Sequence, residues 1–266
     1  MRNLLRAYRS LIKAALITFF EYRAQVIIWV ISFIFPLVMM VVWLAIVSEA
    51  GQVSGWGRSD FVAYYVGAAI VHQFTQSWAT WEWEEQIRTG DLSFKLLKPL
   101  DPFHHIFTQI VGSKLFLLTT VLPIVLGLIW LAPGINYTLS PARLAACVAA
   151  VIGGFMVSML MSTAFGMLSF WTTQSGNLYG LWYGVGNFLS GFIAPLALFP
   201  AWMQKIALVM PFRSTMGLPV EILVGRLDWA GIWLGLGITA AWMTIFTIIY
   251  RLLWRRGIRH YDAVGA

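Results

Sequence analysis

This 266-residue sequence predicts an all-α, polytopic membrane protein with six transmembrane helices, and three observations predict it. Hydrophobic residues make up 59% of the chain and charged residues only 11%, against roughly 25% charge in soluble domains. The apolar residues are gathered into runs of about twenty or more, each long enough to cross a hydrocarbon core about 30 Å thick. The basic residues that give the +7 net charge concentrate at the two chain ends, beside hydrophobic spans. That pattern marks cytoplasmic flanks of membrane helices and not a nucleic-acid surface.

The elements follow in order. Residues 1–24 carry Arg2, Arg6, Arg9 and Lys13 at helical spacing, with Leu4, Leu5, Leu11, Ile12, Leu16 and Phe19 on the other faces. This predicts an N-terminal interfacial amphipathic helix in the inner headgroup layer, with a flexible basic tail as the alternative. Six spans follow, over about 26–47, 60–80, 106–131, 142–171, 176–199 and 229–253. Together they form a transmembrane domain over 25–256, with 257–266 as a cytoplasmic tail. The segment 200–228 is broken by Pro200, Pro211 and Pro219 into apolar pieces too short to span. It predicts short re-entrant external helices before the last span, with an ordinary external loop as the alternative.

An even number of spans puts both ends on one side. With both ends inside, twelve Lys/Arg fall in interior segments and five (Arg58, Arg143, Lys205, Arg213, Arg226) in exterior ones. The positive-inside rule therefore places both termini and the loop 82–105 in the cytoplasm. Lys114 falls within the third span, near its inner end.

Candidate chemistry is confined to a few places. The chain has no G-x-x-x-x-G-K-[ST] motif, so it is expected not to bind ATP itself. His72, His104, His105 and His260 lack the spacing of a zinc site, and the lone Cys147 supports none. No catalytic set and no cofactor are expected in this chain. The segment 82–102 is different, because it holds eight of the charged residues. The second span is expected to run on as one helix through Glu82, Glu84, Glu85, Ile87 and Arg88, with Gly90 ending it and Asp91 close behind. An amphipathic piece with Leu92, Phe94, Leu96 and Leu97 beside Lys95 and Lys98 follows, and Pro99 and Pro102 stop it. Apolar knobs among charges at a membrane surface suit docking into a partner's groove, and a solvated loop is the alternative.

Inside the spans, His72, Gln73 and Gln76 cluster in the second, and Asn187 and Ser190 sit in the fifth. Polar groups in a bilayer face protein or water, so the set either lines a translocation path or makes interhelical hydrogen bonds. Gly176, Gly180 and Gly184 recur every four residues, which lets another helix approach closely, from this chain or a second copy.

Taken together, a basic N-terminal helix, six spans, a charged loop after the second, a Pro-broken segment before the sixth and the ending Arg255-Arg256-Gly257-Ile258-Arg259-His260-Tyr261 resemble the permease subunits of ABC type-2 exporters, the type V exporter fold. The ending is similar to that of a bacterial subfamily of poorly defined substrate. The stretch Gln86–Leu92 through Leu96–Leu100 looks like that family's first cytoplasmic loop. The resemblance implies a bacterial inner-membrane protein that pairs with a second permease, of the same or a different chain. It implies two separate ATPase subunits that bind ATP and Mg. It makes Glu82, Glu84, Glu85, Ile87, Arg88, Gly90, Asp91, Leu97, Lys98 and Pro99 the coupling residues. A stand-alone secondary transporter and a membrane scaffold are the competing readings. The former would be expected to carry acids deep in its spans, and none is found.

Overall fold

The computed structural model describes residues 23–131, 137 and 140–261. The N-terminal interfacial helix expected over 1–24 therefore falls almost wholly outside the described residues. The fold is helical, and among the described residues an isolated Val53–Trp56 bridge is the sole β pairing. The helices are α1 (Arg23–Ala50), α2 (Arg58–Thr75), α3 (Ala79–Thr89), α4 (Leu92–Leu96), α5 (Pro102–Leu131), α6 (Pro141–Gly166), α7 (Ser175–Leu189), α8 (Ala201–Val209), α9 (Pro211–Thr215), α10 (Gly217–Leu223) and α11 (Trp229–Gly257).

Local sequence explains where they begin. The Asp60 carboxylate accepts from the Gly57 amide at 2.9 Å ahead of α2. Ser140 accepts from the Arg143 amide at 3.2 Å and Pro141 follows it, so α6 opens on a side-chain cap with a proline in its first turn. Asp228 caps α11 through the Gly231 amide at 2.8 Å. Gly90 closes α3 in the left-handed region, at φ 85°, which a glycine adopts without strain.

α6 is the central post, packed against α2, α3, α7, α9, α10 and α11. Among the described residues, several buried clusters stack around it. One joins Trp56, Tyr64, Tyr65, Phe192, Met216 and Val220 at the α1–α2 turn. Another joins Trp83, Ile87, Leu92, Ile106, Met167 and Tyr250 at the opposite end. Between them lie clusters around Val157, Tyr179 and Phe212, and around Ala150, Leu218 and Ile232. The outer surface is apolar too: Val41, Ile152, Leu181, Val185, Trp233 and Ile248 are exposed. A water-soluble monomer rarely carries so much contiguous apolar surface, whereas lipid requires it. Pro141–Phe170 and Trp229–Gly257 are each long and apolar enough to cross a membrane, and Ile34–Ala50 is a shorter apolar helix.

Two expectations are corrected. The second span does not run unbroken into the charged loop: α2 ends at Thr75, Gln76 is extended at ψ 144°, and α3 starts at Ala79. The fifth is not one helix over 176–199 either. α7 stops at Leu189, Gly191 turns at φ 91°, and the chain continues through a short 3-10 turn at Leu196–Leu198. The freed carbonyls in that turn are occupied from α1 and α2. Tyr64 donates to Gly191 at 2.8 Å, and Tyr65 and Trp43 donate to Ile193 at 2.7 and 3.1 Å. Hydropathy saw the apolar run and could not see these tertiary donors.

The Pro-broken segment folds as short helices, as its sequence predicts. Residues 211–220 are all buried. Their tip reaches about halfway along α6, where Ser214 and Thr215 lie over Gly154. Only glycine fits there, because a Cβ would collide with the Ser214 carbonyl. Thr239 of α11 donates to the Ser214 hydroxyl at 2.9 Å, and Arg213 pairs with Glu221 at 2.6 Å.

Candidate functional site

The 82–102 loop divides its residues between two faces. α3 buries Trp83, Gln86 and Ile87 against the bundle. Trp83 packs edge-on to Trp254 of α11, with ring centroids 5.6 Å apart. Leu92 anchors α4 in the same cluster. The opposite face carries Glu85, Arg88, Asp91, Lys98 and Pro99, all exposed. At its tip Phe94 is 70% exposed and Leu97 85%. Phe94 shares this exposed face with the outward-facing members of the set expected from the sequence, on a five-residue helix.

Several of the expected coupling residues face inward. Glu84 is the clearest case. Its carboxylate accepts from the Ser175 hydroxyl at 2.7 Å and from the Gly176 amide at 2.5 Å. It thus satisfies orphan donors at the start of α7, where negative charge is favoured. Ile87 is core and Gly90 is a buried turn. Glu82 is largely buried beside Gln109, and burial raises its carboxyl above the usual range, while the Gln109 hydrogen bond and Lys95 oppose that rise. Burial also lowers the Lys95 ammonium, partly offset by Glu82. The tail is tied to the loop as well: Tyr261 and Ser93 hydroxyls lie 3.1 Å apart.

Above the loop, the break at residues 76–78 is held by side chains from neighbouring helices. The Lys114 ammonium donates to the Gln73 carbonyl at 2.6 Å and lies 5.1 Å from the Trp78 ring centre. A cation here meets the negative end of α2. The Thr80 amide donates to the Ser162 hydroxyl oxygen at 2.9 Å, and the Thr80 hydroxyl donates to the Ser162 carbonyl at 2.7 Å. The Tyr179 hydroxyl reaches the Ser77 carbonyl at 3.5 Å. Each partner comes from α5, α6 or α7, so the joint between α2 and α3 is held from three sides. Lys114 was placed by its sequence position but not linked to any function, since a break in α2 was not expected.

His72, Gln76, Asn187 and Ser190 come together, as expected of a polar set. With Tyr183, Thr215 and Ser158 they line a space of about 20 Å³ between α2, α6, α7 and the α9 tip. That is room for about one water. His72 sits 3.2 Å from the Tyr183 hydroxyl and stacks on Phe192 at 4.4 Å, and its Nδ1 has no partner. Gln73 does not join the set. It faces the Lys114 side, where its carbonyl is used and its amide nitrogen is unpartnered.

The three glycines of α7 separate. Gly176 is buried against Trp81 and Glu84 of the same chain. A Cβ added at Gly180 or Gly184 would meet nothing within 4 Å, and both lie on an exposed face with Leu181, Val185 and Phe188. Leu181 is 74% exposed. Among the described residues no group of His, Cys, Asp and Glu could hold a metal ion.

Comparison with curated proteins gives no match. The sequence does match the family described as ABC-2 family transporter protein, over residues 33–265, which takes in every helix from α2 onward and most of α1. With an apolar helical exterior, two helices able to cross a bilayer and an almost full-length match, the chain belongs to the ABC-2 transporter family, as a membrane permease component of an ABC transporter.

Proposed function

We propose that this chain is the permease of an ATP-driven exporter, crossing the membrane six times and powered by two separate ATPase subunits that bind ATP and Mg. The observation that carries this reading is the 92–99 tip. Phe94 and Leu97 stand exposed on a loop whose other face, Trp83, Ile87 and Leu92, is locked into the bundle core. Exposed apolar anchors on a rigid mount, ringed by Glu85, Arg88, Asp91 and Lys98, suit a partner's groove. Movement of that tip would pass to α7 through Glu84 and to α11 through Trp83 and Trp254.

The six spans are α1, α2 with the joint at 76–80, α5, α6, α7 with its 190–199 extension, and α11. α7 alone is only about 22 Å long, and α2 about 27 Å. Both need the adjoining broken backbone to cross, which membranes tolerate only where protein satisfies it. The hydrogen bonds at 76–78 and at 191–193 supply that. Both termini lie in the cytoplasm of a bacterial cell, and α8–α10 dip from the outer side. The polar cavity of His72, Gln76, Asn187 and Ser190 is half of a path that a second permease completes across the open Gly180–Gly184 face.

The test is co-purification. The tagged chain in mild detergent is expected to bring down an ABC-type ATPase near equal stoichiometry. Replacing Phe94 and Leu97 with alanine removes two anchors and is expected to weaken that association by about thirtyfold or more, with the chain's own melting unchanged. A wild-type chain that comes without an ATPase would favour the stand-alone transporter. Undiminished association of the double variant would sink the tip as the coupling element.

A further inference from the structure

At the end of the bundle that carries the C-terminal arginines, α5, α6 and α11 enclose a groove of about 480 Å³. Ligand pockets span roughly 300–1,000 Å³. One wall is a single face of α11: Met243, Thr247, Tyr250 and Trp254 follow at intervals of four, three and four residues. That face runs about 16 Å along the helix axis. Met156 and Leu160 of α6 form the facing wall, and Phe103 of α5 lies 5.4 Å from the Tyr250 ring. The depth of the groove is therefore apolar and aromatic.

Its mouth is cationic. Arg251 and Arg255 line it, with Asp101 as the one acid and His104 beside it. The ion pairs among the described residues are Arg213–Glu221 and Arg226–Asp60, so neither mouth arginine is neutralised by one. The groove shares no residue with the polar cavity around His72.

The geometry points to a binding site for one anionic phospholipid of the cytoplasmic leaflet, with an acyl chain along Met243–Trp254 and the phosphate between Arg251 and Arg255. Three features select this occupant. The slot lies along the helix axis, as an acyl chain does in a bilayer. The apolar wall begins at Met243, about two helical turns from the mouth, and leads to a charged end at Arg251 and Arg255, as in a lipid. The guanidiniums match a phosphate in charge and hydrogen-bonding geometry. The N-terminal segment, with Arg2, Arg6, Arg9 and Lys13, has the same sign as the mouth and is disfavoured there. Trp254, on the groove wall, also packs on Trp83 and Phe170, so an occupied groove braces the core beneath the 82–102 loop.

This inference rests on the orientation proposed above, which sets the arginine end in the inner leaflet. Its test is made in detergent, where orientation has no effect, so the two can fail separately. Native mass spectrometry of the purified chain is run with phosphatidylglycerol and phosphatidylcholine of identical acyl chains. One phosphatidylglycerol per chain is expected, held well above phosphatidylcholine and weakened by salt. Replacing Arg251 and Arg255 with glutamine is expected to cost about fivefold each in that preference, and lysine at both, which keeps the charge and loses the fork, is expected to fall between the parent and the double glutamine variant. Met243→Trp, which fills the slot, is expected to weaken both lipids; a melting curve checks that each variant is folded. Equal retention of the two lipids, or a preference that survives the double glutamine variant, overturns the site. So does competition by glycerophosphoglycerol as strong as by the intact lipid, which would make it a soluble-phosphate site.

Discussion

Two segments of this chain use the same device, very short helices bordered by prolines, and put it to opposite ends. α9 and α10, which carry Pro211 and Pro219, bury every residue from 211 to 220 and drive their tip against the middle of α6. α4, ahead of Pro99 and Pro102, buries Leu92 and leaves Phe94, Leu96 and Leu97 outside. The first segment is a structural wedge whose polar groups are met internally by Thr239 and by the Arg213–Glu221 pair. The second is a presentation surface on a fixed base. Length and proline content do not distinguish them. What does is the matching of polar groups from neighbouring helices, and this sets the expected size of each perturbation.

The largest effect is expected at the ion pair of the wedge. The side chains of Arg213 and Glu221 are only 10% and 13% exposed. Arg213→Met leaves a buried carboxylate alone and is expected to cost about 3–5 kcal/mol in the melting of the purified chain. Replacing both residues with apolar ones of similar volume is expected to cost less than either single change. If the double variant is the worse, the pair does more than neutralise itself. Next comes Gly154→Val, expected to lose about 2–3 kcal/mol by forcing the wedge tip off α6. Gly184→Val, on the open face of α7, is the matched control and should leave the melting of the isolated chain where it was. Equal losses at the two glycines would erase the contrast between a packed and an open face.

Much of the fold was legible because lipid writes strong signals. Long apolar runs and proline punctuation marked most of the long helices, the short Pro-broken pieces and the charged loop. What stayed hidden depended on partners far away in sequence. Nothing in the run 60–89 announces a break at Gln76, because the lysine that makes it tolerable is at position 114. Nothing near Glu84 announces a helix start at Ser175. The coupling set therefore mixed residues that face outward, such as Glu85, Arg88 and Lys98, with residues that face the core. Four of the five polar-set residues meet in one cavity, since polar groups inside an apolar bundle have few places to go.

The break in α2 ranks below the wedge. Lys114→Met is expected to cost about 2 kcal/mol by stranding the Gln73 carbonyl in an apolar setting, measured again as detergent melting. A change close to zero would mean that Trp78 or water takes over the carbonyl, and the joint would then be looser than the three-sided clamp suggests.

The smallest expected effect is a pH slope on the base of the loop. Burial raises the Glu82 carboxyl from its usual value near 4.5. A raised acid holds its proton longer in the folded chain than in the unfolded one. Its contribution therefore falls as pH climbs from the ordinary carboxylate value through the raised one, and it is least favourable above both. Glu82→Gln keeps a hydrogen-bonding group beside Gln109 and removes the charge that burial penalises. The variant is expected to melt slightly higher than the parent at neutral pH, with the difference shrinking as the pH is lowered. Lys95 works against this gain, because its own ammonium is partly supported by Glu82. Lys95→Gln made together with Glu82→Gln should restore the full effect. A difference between Glu82→Gln and the parent that grows on acidification would mean that the carboxylate, and not its burial, sets the balance. Glu82 would then join Glu84 as an internal tie and leave Glu85 as the outward-facing acid of α3.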